Sequence, residues 1–201
     1  MIRFAAVFAL SMLGALPAFA FDAASQAAID GLKAGKPVPI AAVTDLMLGS
    51  ELWCYNQREG ECGWSDLYLS VHGNQVNFEL SHPWSESIDI SYVSQGVLRD
   101  GRFICYSGYD WIPSVRGFER PDGWAIGGRE LEALRLEIEQ WTDLAGDKDC
   151  FDYVFVSADE TAETVTLTQR QWTEGETDAA NDAVVTLYFA KAAADELGWY
   201  W

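Results

Sequence analysis

Ile88-Asp89-Ile90-Ser91-Tyr92-Val93-Ser94-Gln95-Gly96-Val97-Leu98-Arg99-Asp100-Gly101-Arg102-Phe103-Ile104-Cys105-Tyr106 is the stretch on which the reading of the fold turns. Asp-Gly between two runs rich in β-branched and aromatic residues is a strong short hairpin signal. Both central positions of a tight turn need positive φ there, and these two residues tolerate it. Ile88 to Leu98 and Arg102 to Tyr106 therefore read as paired antiparallel strands. The same pattern continues outward. Upstream, Leu52 to Tyr55, Leu67 to Val71 and Val76 to Leu80 are short apolar or alternating runs, with His72-Gly73-Asn74-Gln75 as a turn between the last two. Downstream come Phe151 to Ser157, Thr164 to Trp172 and Ala183 to Phe189. Strands joined by short turns predict an antiparallel sheet, curled as a barrel or folded as a sandwich.

Two segments break the strand pattern. Ala23 to Leu32 reads as a short N-terminal helix that ends at Gly35-Lys36-Pro37. Residues 129–142 carry both periods, since Leu131, Leu134, Ile138 and Trp141 share a helical stripe while Leu134, Leu136 and Ile138 also alternate. Composition favours the helix: Arg, Glu, Leu and Ala are strong helix formers, and Glu130 and Glu132 suit the N-terminal dipole. The predicted class is mainly β (α+β), with one packed helix.

The first twenty residues have the form of a cleavable export signal. Arg3 precedes an apolar run from Phe4 to Leu16, then Pro17, then Ala18-Phe19-Ala20, whose small first and third side chains fit a signal peptidase. That run falls short of the roughly 18–20 residues that span a bilayer as a helix, so no stable membrane anchor is expected after cleavage. Residues 21–201 then form one domain in the periplasm or outside the cell. Cys54, Cys62, Cys105 and Cys150 are an even set in a chain bound for an oxidising compartment, which predicts disulfides. Gly60 lets the segment between Cys54 and Cys62 turn back on itself, pairing those two and leaving Cys105 for Cys150. Their spacing does not suit zinc.

A net charge of −18 excludes a nucleic-acid partner and makes any charged protein partner basic. The catalytic inventory is thin. His72 and His82 read as turn histidines, and no nucleophile elbow or phosphate-binding glycine loop is present. Nothing calls for a cofactor. Asp143, Asp147, Asp149 and Asp152 cluster without the spacing of a calcium loop and read as an acidic turn.

Nine tryptophans stand out in the composition. Trp53, Trp141 and Trp172 fall in or beside periodic segments and read as core, whereas Trp84, Trp111 and Trp124 fall in expected loops. Ser107 to Gly128 reads as a long loop of the kind that carries function. Between Arg99 and Arg129 arginines outnumber acids, in a chain acidic elsewhere. Tyr109, Trp111, Arg116, Arg120 and Trp124 are therefore the expected ligand site, for an anionic or polar molecule held by the arginine forks. The function this implies is a non-catalytic extracytoplasmic binding or interaction module. A secreted hydrolase using two carboxylates and a small outer-membrane β-barrel are the alternatives, the first requiring two acids in one pocket with one pKa raised.

Overall fold

The computed structural model describes residues 20–142 and 149–201, so residues 1–19 of the expected signal peptide, Asp143 and Asp147 lie outside the described residues. The chain begins with two helices. α1 (Ala23–Asp30) starts at Asp22, whose carboxylate accepts from the Ala24 and Ser25 amides at 2.9 and 3.2 Å. α2 (Ile40–Gly49) buries Val43, Leu46 and Met47 on one face. It crosses α1 closely, because a side chain on Gly49 would lie 2.1 Å from Ser25 Oγ. The sequence reading assigned no element to residues 40–49, and the structure adds this helix.

Strands follow in meander order. β1 (Leu52–Tyr55), β2 (Glu61–Cys62), β3 (Trp64–His72), β4 (Gln75–Ser85), β5 (Ile88–Arg99) and β6 (Phe103–Tyr106) precede β7 (Arg116–Glu119) and β8 (Trp124–Ile126). Helix α3 (Gly128–Trp141) then leads to β9 (Cys150–Asp159), β10 (Thr164–Thr173), β11 (Glu176–Thr177) and β12 (Ala183–Tyr188). A one-turn helix, α4 (Lys191–Ala194), and β13 (Gly198–Trp199) finish the chain. The β5–β6 turn has Asp100 and Gly101 at φ 55° and 64°, as the Asp-Gly signal requires.

Antiparallel pairing runs β1–β3–β4–β5–β6–β9–β10–β12 and returns from β12 to β1. The sheet is therefore curled upon itself, though not as a regular barrel. Register shifts interrupt it at Tyr68/Ser70, Pro83/Ser85 and Thr166/Leu167, the β6–β9 ladder has two residue pairs, and β7–β8 branches from β5. The segment expected as one long loop from Ser107 to Gly128 instead contains that β7–β8 hairpin and a 3-10 turn at Ile112–Ser114. Cys54 is bonded to Cys62, and Cys105 to Cys150.

Two apolar clusters organise the interior. The larger unites Val43, Leu46 and Met47 of α2 with inward residues such as Trp53, Val165, Leu167, Val185 and Leu187. The smaller packs Leu134 and Ile138 of α3 against Ile90, Val115 and Ile126. Arg135 fastens α3 further by donating to the Val115 carbonyl at 2.7 Å. Trp141, expected on the buried stripe of this helix, is 79% exposed at its end. No described helix is long and apolar enough to cross a membrane.

Candidate functional site

Alternation along the strands builds a half-open cavity of about 440 Å³. Side chains two residues apart point to the same face of a sheet. Trp64, Asp66 and Tyr68 of β3 therefore look inward together, as do Phe78, Leu80 and His82 of β4. Tyr92 and Gly96 of β5, Ile104 and Tyr106 of β6, Phe151 and Tyr153 of β9, and Gln169 and Gln171 of β10 complete the wall. Going along β10, the inward positions change from Val165 and Leu167 in the apolar cluster to Gln169 and Gln171 at the cavity. β4 changes likewise, from Val76 to His82. One end of the curled sheet is thus filled by side chains and the other is hollow.

Asp66 is the chemically distinctive group. It stands opposite Trp53 in the β1–β3 ladder and is only 6% exposed. Burial pushes its carboxyl up to about 7, against the opposing pull of hydrogen bonds from the Tyr55 and Tyr68 hydroxyls. Oδ1 of this carboxyl has no hydrogen-bond partner. Gln169 Nε2 donates to the Tyr153 hydroxyl at 3.1 Å and approaches that of Tyr55 at 3.5 Å, joining these two, and Tyr68 hydrogen-bonds with both. Burial raises all three phenols, Tyr153 to about 12, so they remain neutral donors. A desolvated acid with an unsatisfied oxygen in a cavity costs stability, and such groups concentrate at functional sites.

His82 is a correction to the sequence reading. It lies within β4 on the cavity wall and not in a turn, and burial lowers its pKa. Its Nδ1 is 2.8 Å from the Pro83 carbonyl, which can only accept, so the proton sits on Nδ1 and Nε2 is the acceptor nitrogen. Asp149 also lines the cavity and accepts from Gln171 and Thr173. Asp152 has a different role: its side chain has no exposed surface and binds both Arg102 and Arg170. Burial alone would raise its carboxyl, but the hydrogen bonds from Arg170 and Arg102 hold it below the ordinary range. Among the described residues no cluster of histidine, cysteine and carboxylate side chains is arranged to hold a metal.

The five residues expected to form a site do not share one cavity. Tyr109 and Trp111 line a smaller cavity of about 120 Å³ that shares Phe78, Leu80, Tyr92 and Tyr106 with the larger one. Trp111 stacks on Tyr92 with ring centroids 3.9 Å apart. Arg116 pairs with Glu79, and Arg120 donates to the Trp199 carbonyl at 2.6 Å while facing Asp89 at 3.4 Å. Trp124 lies on the edge strand β8, 69% exposed. Trp84, expected in a loop, belongs to β4 and donates to Glu137 of α3.

The acid at position 66 was hidden among thirty others. Its signal is local: it interrupts an aromatic face, two residues after Trp64 and two before Tyr68. Comparison with protein-family models, with curated proteins and with solved structures finds no match to this chain.

Proposed function

We propose that this protein is a non-catalytic extracytoplasmic binding module that encloses one small ligand within its curled sheet. The observation that carries this reading is the hollow end of the sheet, about 440 Å³, walled by aromatic side chains around the unsatisfied Asp66. That volume lies in the range of small-molecule sites, and eight antiparallel strands enclose space for side chains or for one small ligand. Two disulfides fit an oxidising compartment, the periplasm or the cell exterior. The outer-membrane barrel gains no support from β1 and β6, four residues each, where a spanning strand needs about 9–11.

Native mass spectrometry of protein purified from its own compartment tests the reading. A co-purifying small molecule that is absent from Leu80→Trp, a substitution that fills the cavity, supports it. An empty wild type together with an unchanged ligand-binding profile in Leu80→Trp would reject it. A second reading, hydrolysis by two carboxylates, is favoured by Asp66 and Asp149 lining one cavity while burial raises Asp66 to about 7. It predicts that Asp66→Asn retains an intact molecule that the wild type cleaves.

A further inference from the structure

The charge and chemistry of the cavity wall narrow the class of ligand. Among the residues lining the cavity there is no lysine or arginine, whereas Asp66 and Asp149 are both present. An anion entering here would meet two acids and no cation. The protein's net charge of −18 opposes its approach as well. Aromatic faces make up much of the remaining wall, contributed by Trp64, Tyr68, Phe78, Tyr92, Phe151 and Tyr153. Such rings present negative quadrupole faces that attract cations, most strongly where water is excluded.

Asp66 adds direction to that attraction. The Tyr55 and Tyr68 hydroxyls hydrogen-bond its carboxyl, and Oδ1, itself buried, has no donor. Asp66 lines the cavity through its small exposed part, where a ligand N–H would meet the carboxyl. From this geometry we infer that the cavity takes an organic ammonium ion, with its N–H directed to Asp66 and its apolar body held between aromatic rings. This rests on the cavity reading above. It reverses the polarity expected from the arginines of the 99–129 segment, which are absent from this wall.

Calorimetric titration of the disulfide-intact protein with three matched probes tests it: 2-phenylethylamine, 2-phenylethanol and phenylacetate. The amine should bind at least about tenfold more tightly than the alcohol at about pH 8, with phenylacetate weakest. Asp66→Asn should erase that preference, bringing amine affinity down to that of the alcohol. The wild type supplies a readout that does not depend on how the variant packs. Amine affinity should rise between about pH 6 and about pH 8 as Asp66 ionises, with alcohol affinity flat. The groups facing Asp66 do not oppose this trend. Tyr55, Tyr68 and Tyr153 stay neutral, and His82 on β4 is neutral in the upper part of the range and repels a cation only when protonated. Asp149 lies on the same wall.

Equal affinities for amine and alcohol, both lost in Leu80→Trp, would overturn the ammonium assignment and leave the binding cavity standing. Phenylacetate binding as tightly as the amine would also overturn the assignment. Amine binding that survives Leu80→Trp unchanged would overturn both, as would no binding by any probe together with an empty protein from its native source.

Discussion

Cys105 and Cys150 face each other directly across the ladder joining β6 to β9, with Cα atoms 3.9 Å apart. Only one other pair, Ile104 with Phe151, belongs to that ladder, and both of those residues wall the cavity. The disulfide therefore holds the shortest seam of the circuit.

Breaking this bond should cost about 4 kcal/mol on the chain-entropy account, because it closes a loop of 45 residues. The Cys54–Cys62 bond closes a loop of eight, and its loss should cost about 2.5 kcal/mol. Paired Cys→Ser substitutions, compared by chemical denaturation, check the order. Hydrogen exchange should locate the first opening at Ile104 and Phe151, and exchange rising first along β10–β12 would contradict this.

Asp66 should make the protein less stable as pH rises. Its carboxyl is raised from 3.8 to about 7 in the folded state, so between those values the native chain holds a proton that the unfolded chain has released. Stability is highest below about pH 4 as far as this group is concerned and falls until about pH 7. Asp66→Asn removes the dependence and should stabilise the protein at about pH 8 by up to about 4 kcal/mol, with little effect at about pH 4. Thermal melts at the two pH values decide it. Equal destabilisation at both would make Asp66 a structural acceptor.

Asp152 should act with the opposite sign. Its carboxyl is held below the ordinary range, so its contribution is complete above the unfolded carboxylate pKa and is lost as pH falls through the lowered folded value. Asp152→Asn should cost about 3 kcal/mol at neutral pH, the lower end for a broken buried pair, because Arg102 and Arg170 are 39% and 28% exposed and can hydrate. Urea midpoints measured against pH should show the variant and wild type converging in acid.

Arg120→Ala should loosen the chain end. It removes the donor to the Trp199 carbonyl and leaves Asp89, a partly buried acid, without its cation, at a cost of about 2 kcal/mol. Limited proteolysis should cut the variant first after α4, with phenylethylamine affinity unchanged. Lost binding at an unchanged melting temperature would instead return Arg120 to the role of a ligand contact.

Local signals carried the strands, while the site depended on how strands are arranged. Asp100-Gly101 announced its hairpin because turn chemistry is encoded in two adjacent residues, and the even cysteine set and Gly60 led to both disulfides. Helix α2 shows Val43, Leu46 and Met47 at helical spacing but begins at Pro39 with no side-chain cap, so the usual start signal is missing. β7 and β8, of four and three residues, are too short to display a period. The cavity is harder still: alternation tells which residues share a face, but convergence of β3, β4, β5, β6, β9 and β10 on one hollow is a property of register and closure.

The ring closes where β12 pairs with β1, Leu52 opposite Tyr188 and Tyr55 opposite Val185. During synthesis this last seam cannot form until β12 has emerged. Until then β1 and β10 each present an open edge of unpaired backbone groups, a template for intermolecular pairing. A chain ending before Ala183 never loses those edges. Aggregation of such fragments, and a need for holding factors during biogenesis, follow from the order in which the strands are made.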